Sequence, residues 1–287
     1  MDNDDFKNIQ ITDDYMFYSV MEAMPNCCQR IIELAIGKKI KEIKIRSQMK
    51  FKQTTSSKGI VIDVHAYDED AWYTVEMQTC NNDDIPKRAR YYHSATDMEC
   101  VKKGEFYRDL KDNHVIFICN FDLFKRGLPV YKVNKILNDD LKSPYTDGLY
   151  TVFLNARYKN PNGAEKDVLS LLDYIGKQKV CDELTSSLDA KVKELQNNDV
   201  WREQYMDARQ EEMRAEYRGY VKGKDEGLAE GLATGRAEGL ATGRAEGLSE
   251  AYFTLLKEGK ITVSDVAKAL GITEAKVEKR FKTDSIQ

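Results

Sequence analysis

Apolar positions along this chain switch between two spacings, and the switches mark the expected elements. Residues 13–36 place Phe17, Val20, Ile31, Leu34 and Ala35 at helical intervals. That predicts a helical opening with Asp13 or Asp14 as its cap, broken in two at Pro25-Asn26 and closed by Gly37. Over 40–51, Ile43 and Ile45 alternate with Lys44 and Arg46 in strand fashion. Residues 54–59 predict a turn. The run Ile60-Val61-Ile62-Asp63-Val64-His65-Ala66-Tyr67 is β-branched, Asp68-Glu69-Asp70 supplies turn chemistry, and Trp72-Tyr73-Thr74-Val75-Glu76-Met77-Gln78 is β-rich again. Residues 60–78 therefore predict a hairpin. Asn81-Asn82-Asp83-Asp84 can cap a helix that has Pro86 in its first turn and reaches about Lys103. Apolar strands follow at 114–121 and 148–155, then helix over 165–218 with an interruption near 177–182. Strands and helices in this order predict an α/β core, a central mixed β-sheet flanked by helices, with a long C-terminal helical extension.

From residue 219 the pattern changes. Glycine recurs every fourth residue from Gly219 to Gly247, with Leu228, Leu232, Leu240 and Leu248 in one column and Ala229, Ala233, Ala237, Ala241 and Ala245 in another. Each glycine costs a helix about 1 kcal/mol relative to alanine, so an isolated helix here is poor. A column of small residues lets another backbone approach closely, and Arg236 and Arg244 have no acidic residue three or four positions away to pair with. Two readings stand: a helix that pairs with a partner helix, giving a homo-oligomer through 219–249, or a low-complexity linker. Residues 250–287 regain helical spacing around the turn Gly271-Ile272-Thr273 and predict a small helix-turn-helix-like unit, suited to packing or to DNA. The chain thus divides into a core over 1–160, helices packing on it over 161–218, the repeat over 219–249 and the terminal unit over 250–287.

The chemistry concentrates in the hairpin. Residues two apart on a strand share a face, so Glu76 and Gln78 project together, and hairpin pairing brings Asp63 beside them. Two carboxylates and an amide suit a hard divalent cation, Mg2+ or Mn2+ in its place, which takes carboxylate oxygens and activates water for phosphodiester hydrolysis. Asp63 and Glu76 are the metal-binding carboxylates in this reading, with the Met77 backbone carbonyl as a further ligand. Gln78 positions a water through its amide, and His65, on the same face as Asp63, is expected to be a hydrogen-bonded wall residue. Basic residues gather on both sides of the hairpin. Lys44 and Arg46 before it, Arg88 and Arg90 after it, and Tyr92 beside them form a candidate DNA-binding set, alongside Lys52 and Lys58. Tyr91 is expected in the core.

Asp63, twelve residues, then Glu76-Met77-Gln78 resembles the PD-(D/E)XK nuclease signature, with glutamine in the place usually held by lysine. Thr12-Asp13-Asp14-Tyr15-Met16-Phe17, Arg88-Ala89-Arg90-Tyr91-Tyr92 and Phe117-Ile118-Cys119-Asn120-Phe121-Asp122 are similar to motifs of the recombination-promoting nuclease and transposase family within that superfamily, over about residues 6–220. The resemblance implies a restriction-endonuclease-like core and a metal-dependent endonuclease, a hydrolase whose substrate is DNA and whose cuts promote recombination or transposition. It also implies an outer carboxylate from the first helices, for which Glu33 is the candidate, its alternative being a solvated helix-face glutamate. Glutamine lacks the charge that lysine places near the attacked phosphate, so a lysine at 78 is expected to restore it. The residues themselves leave RNA open as substrate. They also leave open a catalytically weak, oligomeric nucleic-acid-binding or interaction protein.

Composition constrains the setting. Forty-four basic residues against forty-eight acidic ones give a formal net charge of -4, so nucleic-acid contact has to come from local clusters. Six cysteines with no Cys-x-x-Cys pair suggest reduced thiols and a cytoplasmic location. No apolar run is long enough to suggest a membrane span.

Overall fold

The computed structural model describes residues 3–46, 49–51, 60–101, 104–139 and 142–284. The chain divides into two compact units, residues 1–207 and 208–287. The first opens with helices α1 (Asn3–Phe6), α2 (Asp14–Ala23) and α3 (Pro25–Ile36). The Asp13 side chain caps α2 by accepting hydrogen bonds from the Tyr15 and Met16 backbone N–H groups, both at 3.1 Å. Pro25 occupies the first turn of α3, where a missing N–H costs nothing, and Gly37 ends it in the left-handed region at φ 75°. The helical opening and its break therefore form where the sequence puts them.

Strands β1 (Lys44–Arg46), β2 (Met49–Phe51), β3 (Ile60–Ile62), β4 (Val64–Tyr67) and β5 (Ala71–Gln78) follow, then α4 (Ile85–Cys100), β6 (Asp112–Cys119), β7 (Val130–Val133) and β8 (Leu149–Asn155). The unit continues through α5 (Lys166–Lys177), α6 (Glu183–Gln196) and the first turns of α7 (Asp199–Lys257). The described strands form a mixed six-stranded sheet in the order β1-β4-β5-β6-β8-β7 and a separate β2-β3 pair. β5, β6 and β8 run parallel, and α4 supplies the crossover that a parallel β5–β6 pair requires. The edges and the β4–β5 hairpin are antiparallel. This is the expected α/β core with helices on both faces of the sheet.

Period-2 alternation assigns the faces. Val115, Phe117 and Cys119 of β6 pack against Ile85, Ala89, Tyr92 and Ala95 of α4. Ile116 and Ile118 face the opposite way, into a larger core shared with α2, α3, α5, α6 and the start of α7. A buried polar chain locks α4 to the sheet. His93 Nδ1 lies 3.1 Å from Asn113 Oδ1, and Asn113 donates to Asp97 Oδ1 at 2.8 Å.

Three details depart from the sequence pattern. The strand expected over 40–51 is two short strands in different sheets, because Ile40 and Ile43 are buried in the larger core instead of pairing. β7 was not expected: it is four residues long at a sheet edge, directly after Pro129, too short to show a period. Asn197 and Asn198 add a second break between α6 and α7. The turn expected at 54–59, Lys52, Lys58 and the predicted helix end at Lys103 lie outside the described residues.

In the second unit α7 continues through 219–247 as helix, so the repeat is helical and its leucines are bare: Leu232 is 66% exposed. An added Cβ at any of its eight glycines would meet nothing within 4 Å. Thr262 and Asp265 form a capping box for α8 (Val263–Leu270), Gly271 ends it at φ 64°, and α9 (Glu274–Asp284) follows. Phe253, Val266, Ala267 and Val277 are its small core. No described helix is long and apolar enough to cross a membrane.

Two glycines should respond to alanine with opposite sign. Gly176 of α5 lies so close to the Ala156 carbonyl that a Cβ has no room. Gly176→Ala should therefore destabilise the first unit by about 1–3 kcal/mol in thermal or urea unfolding. Gly219→Ala, in open space on α7, should raise helix content, since alanine gains about 1 kcal/mol there. A neutral Gly176→Ala would show that α5 sits farther from β8 than described.

Candidate active site

The parity of β5 builds the site. Tyr73, Val75 and Met77 face the larger core, so Thr74, Glu76 and Gln78 face the α4 side. In the hairpin Val64 pairs with Val75 and His65 with Thr74, which leaves Asp63 beside Glu76 at the next position. There the β3–β4 run bends: β3 pairs with β2, β4 with β5, and Asp63 is the residue between. Side chains replace the missing ladder bonds. The Asp63 N–H donates to Glu76 Oε1 at 3.1 Å, and the Met77 N–H donates to Asp63 Oδ2 at 2.9 Å. Each carboxylate is thus fixed by the backbone beside the other.

Enclosure makes this pair electrostatically unfavourable. Burial pushes the Asp63 carboxyl up, opposed by the Met77 N–H bond and Arg88 and reinforced by the charge of Asp14. Burial also raises Glu76 well above the usual carboxylate range, and the Asp63 charge raises it further, while the Asp63 N–H, Arg88 and Tyr92 pull it down. Glu76 is 2% exposed. Two adjacent carboxylates that resist ionisation fit a hard divalent cation, which supplies the compensating charge and takes oxygen donors. The Met77 carbonyl, which already accepts the Gln78 amide at 2.8 Å, has a second lone pair to offer. Among the described residues no group of three His, Cys, Asp or Glu side chains is arranged to hold an ion.

The remaining expected residues divide. Arg88 reaches the site: Nη1 donates to Gln78 Oε1 at 2.8 Å, and Nη2 lies 2.8 Å from Tyr92 Oη and 3.7 Å from Glu76 Oε2. Tyr92 is buried at 5% exposure, stacked on Phe117 and within 3.3 Å of Glu76 Oε2, so it braces the carboxylate and is not a surface contact for nucleic acid. Tyr91, expected in the core, is 44% exposed, because the buried face of α4 carries Ala89, Tyr92, His93 and Thr96. Arg90 is also exposed, on the solvent side of α4.

Lys44 and Arg46 lie away from the pair. Lys44 is paired with Tyr67 at the turn end of the hairpin, and Arg46 stacks over Trp72 with its guanidinium carbon 4.8 Å from the ring centroid. His65 is the wall residue expected, stacked on Trp72 and held neutral by burial, its pKa pushed down to about 4. Glu33 is not solvated, and its carboxylate is taken by other partners. It is buried, accepts from the Ile40 N–H at 3.0 Å and pairs with Lys39 at 2.8 Å, so it fastens the loop after α3. The acidic residue that the early helices do bring near Asp63 is Asp14, in the first turn of α2. Its signal was the Asp13-Asp14 pair, of which only Asp13 is used in capping.

A family model for the PD-(D/E)XK nuclease family transposase matches residues 23–217, about two thirds of the chain, including Asp63, Glu76, Gln78 and α4. Comparisons with curated proteins and with solved structures give no match.

The raised carboxyls imply a pH-dependent stability. A carboxyl whose folded pKa is raised contributes full stability below the unfolded value of about 4 and loses it as pH rises through the folded value. Without divalent cations, Asp63→Asn or Glu76→Gln should therefore melt higher than wild type at pH 8. Relief of even about 1 kcal/mol corresponds to about 2–4 °C for a domain of this size, and the advantage should disappear near pH 4. Equal melting temperatures at pH 8 would contradict the electrostatics described.

Proposed function

The chain belongs to the PD-(D/E)XK nuclease family transposases, and from that premise we propose that it is a divalent-metal-dependent DNA endonuclease whose strand breaks serve recombination or transposition. The observation that carries this reading is the Asp63–Glu76 pair, locked by reciprocal backbone bonds at the end of a mixed sheet. Asp63, Glu76 and the Met77 carbonyl would hold Mg2+ or Mn2+. When bound, the ion supplies Lewis-acid charge at the phosphate and lowers the pKa of water. The protein's own residues do the rest. The backbone bonds keep both carboxylates oriented, Tyr92 fixes one Glu76 oxygen, and Arg90 on the exposed side of α4 is placed to meet backbone phosphate beyond the site. Water adds to phosphorus and the leaving oxygen departs as an alcohol. Six free thiols fit the cytoplasmic setting of such an enzyme.

Assembly belongs to the same reading. The repeat is helical, its glycine positions are open, and Leu228, Leu232, Leu240 and Leu248 are 52–66% exposed, so a second copy of this helix is the partner we assign to 219–249. Oligomerisation was also the core of the alternative, non-catalytic reading; here it accompanies catalysis.

Two outcomes test these assignments. Supercoiled plasmid should be cut only with a divalent cation, and Asp63→Ala and Glu76→Ala should lose at least ~10²-fold in rate, since either leaves the ion underliganded. Variants that cut as fast as wild type would remove the site assignment. In sedimentation, replacing Gly231, Gly235 and Gly239 by leucine should weaken association while helicity rises, because the added side chains fill the space of a partner backbone. A wild type that is monomeric at micromolar concentration, or an unchanged oligomer in the triple variant, would reduce the repeat to a spacer.

A further inference from the structure

Gln78 stands where the signature has lysine, and both ends of its amide are committed within the protein. Oε1 accepts from Arg88 Nη1 at 2.8 Å, and Nε2 donates to the Met77 carbonyl at 2.8 Å. A side chain held at both ends in this way is a tether, its orientation set by Met77 and Arg88. The group it tethers is a cation that reaches the same place from another element. Arg88 comes from the first turns of α4, and its Nη2 lies 3.7 Å from Glu76 Oε2. Tyr92, one helical turn on, accepts the second guanidinium bond at 2.8 Å. α4 in turn is fixed to the sheet by the His93–Asn113–Asp97 chain.

From this geometry we infer that Arg88 is the catalytic cation of the site, supplying from α4 the charge that the signature supplies as lysine from β5, with Gln78 as its positioning residue. The inference rests on the nuclease reading above. Three observations support it. A guanidinium is charged at every working pH and carries five N–H donors, of which the bonds to Gln78 and Tyr92 use two. The Arg88 side chain remains 27% exposed while Glu76 beside it is 2% exposed, so an incoming phosphate can reach the guanidinium. The bracing by Gln78 and Tyr92 holds it in place before substrate arrives, which is the condition for stabilising charge that develops on the phosphoryl oxygens. One consequence reverses the sequence expectation: Gln78→Lys alone sets an ammonium against a guanidinium and removes the tether, so it costs activity.

A charge-swap experiment tests this. Wild type, Asp63→Ala, Arg88→Gln, Gln78→Lys and the double variant Gln78→Lys/Arg88→Gln are compared for single-turnover plasmid cleavage with Mg2+, for Mg2+ affinity by calorimetric titration and for melting temperature. Arg88→Gln is expected to lose on the order of 10²-fold in rate while binding Mg2+ at least as tightly as wild type, because a competing positive charge has gone. Gln78→Lys alone should also be slow, and the double variant should recover at least ~10-fold over either single change. The inference is overturned if Arg88→Gln cuts within about 2-fold of wild type, or if the double variant is no faster than the singles. Parallel loss of melting temperature, Mg2+ affinity and rate in Arg88→Gln, without rescue in the double variant, would likewise overturn it and leave Arg88 as a packing residue. A wild type that neither binds Mg2+ nor cuts would sink the nuclease reading and this inference together. A wild type that does both, with Asp63→Ala inactive and Arg88→Gln unimpaired, would sink the inference alone.

Discussion

Two hydrogen bonds, Asp63 N–H to Glu76 and Met77 N–H to Asp63, set the constraint around which this unit is organised. They occur where one β-branched run leaves one sheet and enters another. A buried break of this kind would ordinarily leave backbone N–H groups without partners. Here carboxylates accept them, and the cost moves from the backbone to the side chains, which become two neighbouring acids in an enclosed place. That cost is tolerable only if something positive is brought near. Arg88 provides part of it, and the chemistry of the donors leaves room for a divalent cation to provide the rest.

The larger architecture serves to hold this arrangement. Parallel pairing of β5 with β6 requires a crossover, the crossover is α4, and α4 carries Arg88 and Tyr92 one turn apart toward Glu76. The buried chain through His93, Asn113 and Asp97 keeps α4 from sliding along the sheet. On the other face, α2 brings Asp14 close enough to raise the Asp63 pKa further. An acid that makes its neighbour harder to ionise has the sign expected around a site awaiting a cation, and the opposite sign from a site built for stability.

Much of this was legible in the chain because it depends on local period and turn chemistry. The hairpin, the pairing of Asp63 with Glu76, the capped opening helices and the mixed sheet all follow from such signals. What was not legible depends on three-dimensional closure. Glu33 read as a helix-face acid because its ligand, the Ile40 N–H, is supplied by a loop whose path no periodicity encodes. Tyr91 and Tyr92 are adjacent and chemically identical, so only the orientation of α4 on the sheet decides which is buried. Lys44 falls opposite Tyr67 at the turn end of the hairpin, and Arg46, although opposite His65, lays its guanidinium over Trp72, a contact that no periodicity encodes. The likeness of Gln78 to a weakened lysine concealed Arg88, since ten residues and a change of element separate the two.

If Asp63 and Glu76 share one divalent cation, calorimetric titration of Mg2+ at pH 7 in two buffers of different ionisation enthalpy will register it. Because both carboxyls hold protons more tightly than usual, binding should release protons to the buffer, with one ion per chain and a measured heat that differs between the two buffers. Asp63→Asn should abolish both the binding and the buffer dependence. Tight binding with identical heats in the two buffers, or binding that survives in Asp63→Asn, would contradict the account.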